Sequence, residues 1–489
     1  MPLWRQHTVH DDWSTAFRIA LRVCQRRMLS QHLRLREHGP FLGLWFLGLA
    51  LRITVGLAYQ PVLMLQRDTY IYLQMAASGS TSSFRPGLYS VFLKPAVWLG
   101  NLTVVPVVQH LMGLVMGALI YLLLRRLGLG VWLGSLGAAL VLLDAFQLDL
   151  EQYLLTETLF QALVVGSVCL IAWWARPQVW AVVLAGVLCG LAGATRFVGV
   201  VMIIPAVIYV AWARLGWVRI GALVAGFALT FGAYTLSTGT AEDAGIGARN
   251  GFFLYGRVSS FSDCTRVEVP RDLRRLCIDQ PPAERGPNYG VFTLPIPIRQ
   301  LSNSPEANAQ LLDFSQRMIK GLPLDYAKVV LSDLWRFAEP SNPLSKEPYV
   351  KRWMFVSSLQ EADPIAFVLR FRGSAPPSTG IKQTFRIDTD LARPLRTYQR
   401  FAYLWGPLLG LSILVGLIGA VAGAPTGGGR NLRATCALMS LSALALLLVP
   451  VMTTVFHFRY QIGPLPLIGP AGVLGIAAIR TRFTQRKRL

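Results

Sequence analysis

The stretch TVVPVVQHLMGLVMGALIYLLL, residues 103–124, is followed at once by Arg125 and Arg126. It contains no Asp, Glu, Lys or Arg and has the roughly 20 apolar residues that a helix needs to cross a bilayer. Arginines directly after such a run are typical of the cytoplasmic end of a span. We therefore predict a transmembrane helix that ends at these two arginines.

Similar runs recur along the chain, and its composition agrees with them. The 489 residues are 53% hydrophobic and 15% charged, with a mean hydropathy of +0.46. Soluble domains average about 25% charged residues, so the deficit indicates that lipid surrounds much of the chain. We expect an all-α polytopic membrane bundle with about ten transmembrane helices near residues 40–58, 103–124, 129–147, 153–175, 178–194, 198–213, 217–237, 401–423, 433–455 and 461–479.

The net charge of +22 comes from Lys and Arg that lie mostly between the apolar runs and at both ends. No basic stripe interleaved with aromatic residues forms a recognisable nucleic-acid-binding module, so we exclude nucleic acid as a partner. If ten spans alternate, the basic clusters all fall on one side, which the positive-inside rule assigns to the cytoplasm. We predict a multi-pass protein of the inner (plasma) membrane.

The same pattern divides the chain into segments. Two cysteines, Cys264 and Cys277, share one polar segment, and an oxidising compartment would allow them to form a disulfide. We predict a basic cytoplasmic arm at 1–39, a transmembrane core at 40–237 with a first outer loop at 59–102, a smaller extracytoplasmic domain of mixed structure at 238–400, C-terminal spans at 401–479 and a basic cytoplasmic tail at 480–489.

Polar residues that could take part in catalysis or binding collect on the predicted outer face, opposite the basic loops. Asp68 in QRDTYIYLQMA, with Tyr72 after it, is a carboxylate at the mouth of the bundle and suits a general base. The alternative is a loop Asp that caps a short helix. Arg85 and Lys94 in SSFRPGLYSVFLKP suit a phosphate group, with anchoring at the membrane surface as the alternative.

Three more clusters follow on the same face. Glu157 lies at the start of the fourth run, where an ionisable side chain tends to pair or to face a water-filled cavity. Asp149 and Glu151 precede it, and we expect them nearer to solvent. Arg196 in GATRFVGV is a candidate partner of Glu157, and a purely structural pair is the alternative. The turn VFHFRYQIGP supplies His457, Arg459 and Tyr460.

Several motifs that are common in soluble metal- and nucleotide-dependent enzymes are absent from the sequence. It contains no HExxH or CxxC motif, and no second carboxylate adjoins Asp68, which is followed by Thr69. It also contains no P-loop and no GxGxxG in a βαβ context. Metal hydrolysis of that type and soluble nucleotide chemistry are therefore not indicated.

The order of these motifs resembles the GT-C superfamily of membrane glycosyltransferases. The order is RDTYIY, RPGLYSVFLKP, LLTETLF, GATRF and then HFRYQIGPLP before the last span. It is similar to the branch that includes protein O-mannosyltransferases and bacterial aminoarabinose transferases to lipid A. The similarity covers the first six spans and the last one, and LYGRVSSFSDC resembles a phrase of actinobacterial members.

The resemblance implies transfer of a sugar from a polyprenyl-phosphate donor to an extracytoplasmic acceptor glycan, lipid or protein. It implies Asp68 as the general base, Glu157 or alternatively Asp149 as the second acidic residue, and single displacement with inversion. Protein mannosyltransferases carry Asp-Glu where this chain has Asp68 and Thr69, so we expect no essential metal, with Mg²⁺ or Mn²⁺ as the alternative. The implied donor-binding residues are Tyr72, Arg85, Lys94, Arg196, His457, Arg459 and Tyr460.

Two other functions remain open from the sequence. A transporter or lipid-linked sugar flippase would carry ionisable residues deep in its spans and similarity between its halves. The polar residues found here lie instead at the ends of the runs. A non-catalytic membrane scaffold is the other alternative.

Overall fold

The fold is taken from a computed structural model of the chain. The structure describes residues 37–64, 66–80, 82, 85–238, 250–285, 304–340, 355–356, 379–381, 383, 386–427 and 430–486. The predicted basic arm lies almost entirely outside this set, as do the last three residues of the predicted tail.

The described residues are predominantly helical, which confirms the predicted all-α class. In lipid a helix satisfies its backbone hydrogen bonds internally, so apolar runs of this length fold as helices. The helices are α1 (Gly39–Ala58), α2 (Gln66–Ser78), α3 (Leu88–Trp98), α4 (Val104–Arg126), α5 (Val131–Leu143), α6 (Ala145–Gln152), α7 (Glu157–Ala172), α8 (Val179–Thr195), α9 (Ile203–Trp212), α10 (Trp217–Ser237), α11 (Asn250–Val258), α12 (Pro305–Gly321), α13 (Pro323–Arg336), α14 (Thr389–Tyr398), α15 (Gly406–Ala422), α16 (Leu432–Thr453) and α17 (Leu465–Arg486).

The short remaining elements are 3₁₀-helices and two-residue strands. The 3₁₀-helices are Phe197–Met202, Arg271–Leu276, Pro282–Glu284 and Phe458–Ile462. The strands β1 (Tyr59–Gln60) and β2 (Arg386–Ile387) pair antiparallel, as do β3 (Thr426–Gly427) and β4 (Arg430–Asn431). The β1–β2 pair ties the residues directly after α1 to the segment before α14.

Each of the ten predicted runs coincides largely with helix, but not all have the dimensions of a span. Among the described residues, four helices are long and apolar enough to cross a membrane, namely α1, α4, α10 and α16. The pair α5 and α6, bent by 44°, would make a fifth if it is one span. Shorter apolar helices are α7, α8, α15 and the stretch Phe197–Trp212. The ten-span topology and its orientation therefore remain predictions.

Close contact between backbones holds the bundle together where small residues face each other. A Cβ added to Gly186 of α8 would lie 2.1 Å from the carbonyl oxygen of Leu223 in α10. One added to Gly226 of α10 would lie 2.3 Å from the carbonyl oxygen of Val183. Small residues allow this approach in membranes, where dispersion contacts rather than the hydrophobic effect join helices. The packing fixes α8, and Arg196 follows its last residue.

A second packing unit lies within the predicted extracytoplasmic region. α11, α12 and the 3₁₀-helix Arg271–Leu276 enclose an apolar cluster that includes Tyr255 and Phe314. Cys264 and Cys277, the pair for which the sequence predicts a disulfide, are bonded there. The described parts of residues 238–400 are helical, 3₁₀ or irregular, apart from the two residues of β2.

Hydrogen bonds to the end of α16 attach this unit to the apolar bundle. The guanidinium of Arg257 in α11 donates to Asp333 of α13 at 2.5 Å and to the carbonyl oxygen of Val451 in α16 at 3.2 Å. The hydroxyl of Tyr326 donates to the carbonyl oxygen of Met452 at 3.0 Å. The two carbonyl acceptors, Val451 and Met452, lie in the last turn of α16, directly before the turn that carries His457 and Arg459.

Candidate active site

Asp68 lies in the first turn of α2, held between two arginines. Nη2 of Arg85 donates to its Oδ1 at 2.6 Å, and Nη1 of Arg459 donates to its Oδ2 at 3.0 Å. Burial alone would raise the pKa of Asp68, but the two guanidinium groups hold it well below its usual range. Asp68 is therefore ionised throughout the physiological pH range.

Glu157 is the first residue of α7 and forms the second half of the site. Nη1 of Arg196 donates to its Oε1 at 2.5 Å and to the hydroxyl of Thr156 at 3.0 Å. Nε of Arg459 donates to the same Glu157 oxygen. A carboxylate is also favoured at the N-terminus of a helix, where the backbone N–H groups are unsatisfied. Arg459 thus bridges Asp68 and Glu157.

Local backbone structure brings these side chains together. Arg196 follows the end of α8 with extended backbone, so its side chain leaves the helix axis. Arg459 lies in the 3₁₀-helix Phe458–Ile462, where Nδ1 of His457 accepts a hydrogen bond from the backbone N–H of Arg459 at 3.2 Å. We call Asp68, Arg85, Glu157, Arg196 and Arg459 the arginine–carboxylate cluster.

The cluster carries an excess of positive charge. Three guanidinium groups contact two carboxylates, which leaves one net positive charge in a half-buried site. The exposed fraction of the side chain is 34% for Arg85 and only 2% for Glu157, so the cluster opens toward solvent on the Arg85 side. An anionic group that reaches Arg85 would meet this net positive charge.

Tyr72 and His457 border the cluster. Burial raises the pKa of Tyr72 to about 12, with opposing effects from Arg85 and Asp68, so its hydroxyl is neutral. Burial, and then the charge of Arg459, lowers the pKa of His457 to about 4. The imidazole is therefore neutral at physiological pH, consistent with Nδ1 acting as an acceptor.

This pKa predicts a loss of stability in acid that depends on His457. Its folded pKa of about 4 lies below the ordinary 6.5, so the unfolded chain takes up the proton first as pH falls. The stability contributed by neutral His457 is present above about pH 6.5 and is lost as pH falls toward 4. We expect the melting temperature of His457→Gln to fall less than that of the wild type over this interval. Equal falls in the two proteins would contradict this.

Three of the predicted donor-site or acidic residues neither belong to the cluster nor border it. Lys94 is exposed on α3. The hydroxyl of Tyr460 lies 3.4 Å from that of Thr454 and joins no cluster member by a hydrogen bond in the described part of the chain. Asp149 is completely buried, and neither of its carboxylate oxygens has a hydrogen-bond partner among the described residues.

The expectation that Asp149 and Glu151 lie near solvent is wrong. The chain bends by 44° after α5, so α6 turns into the bundle and buries all of its residues. Asp144 caps α6 by accepting from the backbone N–H of Gln147 at 2.9 Å. It also accepts from the backbone N–H of Leu404 at 2.6 Å, which ties the bend to the residues before α15.

Glu151 belongs to a buried polar network that sequence reasoning missed. Arg52 of α1 donates to both carboxylate oxygens of Glu151, from Nε and Nη2, at 2.8 Å each. His110 lies 2.9 Å from one of those oxygens, and Gln147 donates to the other at 3.0 Å. The signal was present, because Arg52 is an arginine inside an apolar run, and such residues are costly unless paired.

The network continues to the arginine–carboxylate cluster. Gln147 and Gln161 exchange hydrogen bonds of 2.8 Å, and Gln161 donates to the carbonyl oxygen of Ile462 at 2.6 Å. Ile462 ends the 3₁₀-helix that holds Arg459. The buried pair in the bundle is therefore linked by hydrogen bonds to the turn that positions Arg459.

Glu151→Gln tests the structural value of this network. Removing one partner leaves the guanidinium of Arg52 buried without its counter-charge, which costs about 3–5 kcal/mol. We expect a clear drop in the thermal unfolding midpoint in detergent, and no drop for Glu306→Gln, whose side chain is exposed. Arg52→Met combined with Glu151→Gln should recover part of the loss. Equal midpoints for Glu151→Gln and Glu306→Gln would contradict the assignment.

No group of three or more His, Cys, Asp or Glu side chains that could hold a metal ion occurs among the described residues. In the cluster, Asp68 and Glu157 are joined through Arg459. The prediction that no metal is essential remains a prediction.

Part of the chain matches a known protein family. Residues 101–225 match the family model described as dolichyl-phosphate-mannose-protein mannosyltransferase. The match includes Glu157 and Arg196, and the other three cluster residues lie outside it. It confirms, for this part of the chain, the predicted resemblance to the GT-C superfamily of membrane glycosyltransferases.

Solved structures of similar proteins share only low identity with the chain. The oligosaccharyltransferase AglB from Archaeoglobus fulgidus, in complex with an inhibitory peptide and a dolichol-phosphate, is 12% identical over 92% of this chain and 51% of its own, with a TM-score of 0.40. ArnT from Cupriavidus metallidurans bound to undecaprenyl phosphate is 12% identical over 88% of this chain and 76% of its own, with a TM-score of 0.31. The chain thus spans about half the length of the archaeal enzyme. No curated protein matches the sequence.

Proposed function

We propose that the protein is an integral membrane glycosyltransferase that moves a sugar from a polyprenyl-phosphate donor to an acceptor hydroxyl on the extracytoplasmic face. The acceptor is a cell-envelope glycan, lipid or protein. The observation that carries the proposal is the bridge made by Arg459 between Asp68 and Glu157, flanked by Arg85 and Arg196. The match of residues 101–225 supports the reaction class.

The donor phosphate would bind at the arginines. Guanidinium groups present planar pairs of N–H donors that match phosphate oxygens, and such charge-assisted hydrogen bonds are strong in a half-buried site. Arg85 has the most exposed side chain among the cluster arginines that contact Asp68, so it meets the phosphate first. The excess positive charge of the cluster then stabilises the negative charge that develops on the leaving phosphate.

Transfer then proceeds in one displacement. The acceptor hydroxyl gives its proton to Asp68, its oxygen forms a bond to C1 of the sugar, and the bond from C1 to the phosphate oxygen breaks. The electron pair of that bond leaves with the polyprenyl phosphate. A single attack from the face opposite the phosphate inverts the configuration at C1.

Donor binding would also activate the base. With both oxygens occupied by Arg85 and Arg459, Asp68 has a pKa well below its usual range and is a weak proton acceptor. A phosphate that competes for these guanidinium groups withdraws them from Asp68, so its pKa rises. Proton abstraction is thereby favoured when the donor is in place.

Glu157 holds the arginines in this scheme instead of exchanging protons. Its side chain is 2% exposed and accepts from both Arg196 and Arg459. It would keep Arg459 in position when Asp68 loses that contact. The two acidic residues therefore have different roles, with Asp68 as the base and Glu157 as a positioning residue.

The purified protein in nanodiscs, given a labelled polyprenyl-phosphate sugar and cell-envelope acceptors, tests the proposal. We expect label to appear in acceptor and free polyprenyl phosphate to be released in equal amount. We also expect EDTA to leave the rate within about twofold, because the proposed transition-state charge is met by arginines. Release without a labelled acceptor, or no reaction with any donor, would contradict the proposal. A complete loss of rate with EDTA that Mg²⁺ or Mn²⁺ restores would contradict the metal prediction.

One observation favours transport of a lipid-linked sugar as the alternative. Arg52 and Glu151 form an ionisable pair inside the bundle, a feature that marks many transport pathways. Every carboxylate oxygen of that pair is hydrogen-bonded within the protein, which favours a structural role. Movement of labelled donor across a sealed proteoliposome membrane without transfer would support the alternative.

A further inference from the structure

A groove lies between α1 and α4. None of the residues that line it belongs to the arginine–carboxylate cluster. Its volume is about 580 Å³. Its walls are aliphatic side chains that each expose about half of their surface, and they include Ile53, Leu57, Val107 and Leu111. α1 and α4 are both long and apolar enough to cross a membrane, so this groove would face lipid.

The rim of the groove is polar and lies at the end of α1 that leads to Asp68. Arg386 of β2 lines it together with Gln60 of β1, Gln383 and Thr103. The guanidinium of Arg386 donates to the side-chain oxygen of Gln60, at 3.0 Å from Nε and 2.6 Å from Nη2. No carboxylate of the described residues forms a salt bridge with Arg386, whose positive charge is therefore not neutralised within that part of the chain.

The floor of the groove is polar but already satisfied. Arg52, His110 and Gln152 line the floor. Glu151, which does not line the groove, forms an ion pair with Arg52. The lining includes no Asp or Glu. A ligand for this groove therefore needs an apolar body along α1 and α4 and a negative charge at the rim, where Arg386 offers the uncompensated charge.

We propose that the groove binds an acyl chain of an anionic phospholipid, with the lipid phosphate at Arg386. The acyl chain of the lipid lies against the aliphatic walls of the groove. It shields these walls from the rest of the bilayer. The phosphate accepts hydrogen bonds from the guanidinium at the rim, because a basic side chain near the membrane surface attracts anionic lipid headgroups. This site goes beyond the proposed transfer reaction and uses none of the cluster residues.

Photo-crosslinking tests the proposal on the full-length protein in nanodiscs. The probes are phosphatidylglycerol and phosphatidylcholine with the same diazirine-bearing acyl chain, each added as a minor component to phosphatidylcholine. After irradiation, peptides are mapped by mass spectrometry. We expect phosphatidylglycerol adducts on peptides of α1 and α4 that line the groove, enriched over peptides of α10, whose Leu229 is 75% exposed and marks an ordinary lipid-facing surface. Phosphatidylcholine should give about fivefold fewer groove adducts.

Two variants with matched controls locate the site. A Cβ added at Gly56, which lines the groove, meets nothing within 4 Å, so a side chain can start there, and Gly56→Leu is designed to occupy the groove. Gly43 on the same helix has the same open space but does not line the groove, which makes Gly43→Leu the control. For the charge, Arg386→Gln is paired with Arg393→Gln, an exposed position on α14.

We expect Gly56→Leu and Arg386→Gln each to reduce the phosphatidylglycerol adducts in the groove by about fivefold or more, with no change for the controls. Equal labelling of groove and α10 peptides, equal labelling by the two lipids, or full labelling of either variant would overturn the proposal.

Discussion

Asp68→Asn lowers the rate of sugar transfer by about 10²–10⁴-fold, the range typical of losing a general base. Asparagine keeps the shape of the side chain but cannot take a proton from the acceptor hydroxyl. It also removes the negative charge that Arg85 and Arg459 contact, so those arginines become more available to the donor phosphate. Donor affinity should therefore be maintained or increased while the transfer rate falls.

Single-turnover measurements with labelled donor separate the two quantities, because they report binding and chemistry independently. Lys94→Gln is the matched control, since it removes an exposed charge from the outer region without touching the cluster, and we expect it to leave the rate unchanged. Transfer by Asp68→Asn at the wild-type rate would exclude Asp68 as the base.

Arg459→Gln has the second large effect, and it acts on both stability and donor binding. Arg459 is the residue that contacts both Asp68 and Glu157, and its side chain is 10% exposed. Without it Glu157 keeps a single cationic partner, and the cluster's net charge falls from one positive to zero. Breaking a buried ion pair from one side costs about 3–5 kcal/mol of unfolding free energy.

The measurements for Arg459→Gln are the thermal unfolding midpoint and the affinity for polyprenyl phosphate. We expect both to fall, and Arg459→Lys to recover part of the stability but little of the affinity, because an ammonium group lacks the planar fork. Arg393→Gln, at an exposed site, serves as the control. If Arg459→Gln and Arg393→Gln bind polyprenyl phosphate equally well, Arg459 does not contact the donor.

The double variant Asp68→Asn with Arg459→Gln separates charge balance from catalysis. Removing one negative and one positive charge together should restore part of the stability lost in Arg459→Gln, because contacting residues are energetically coupled. The transfer rate should stay at least as low as that of Asp68→Asn. A double variant no more stable than Arg459→Gln would show that the contact with Asp68 contributes nothing to folding.

Much of the helical framework could be predicted because apolar runs long enough to form helices are visible in the sequence. The run at 103–124 appears as α4, and the run at 401–423 appears as the shorter α15. The site could be predicted as a set of residues on one face of the bundle, since Asp68, Arg85, Glu157, Arg196 and Arg459 all lie at the ends of helices or beside them.

The sequence offered Arg196 as a candidate partner of Glu157, and the two do meet, but it does not show which other side chains of the site are in contact. Arg459 and Asp68 are in contact although most of the sequence separates them. The role of Arg459 as a bridge depends on how the turn after α16 packs against α2 and α7. Lys94 and Arg85 are nine residues apart in one motif, yet α3 directs Lys94 into an exposed position. Periodicity along the chain carries no information about either contact.

The error at α6 has a physical cause. Asp149 and Glu151 lie in a polar stretch, and polar stretches between spans usually lie at the surface. Here Asp144 caps α6, which turns into the bundle, and Arg52 of α1 forms an ion pair there with Glu151. The clue was an arginine in the middle of the first apolar run, which requires a buried partner.

A structure of the protein with a non-transferable phosphonate analogue of a polyprenyl-phosphate sugar tests the central claim most directly. We predict that the phosphonate oxygens accept hydrogen bonds from Arg85 and Arg459, that Asp68 gives up at least one of these two contacts, and that its freed oxygen faces the sugar C1 region. A phosphonate bound away from the cluster, with Asp68 still held by both arginines, would contradict it.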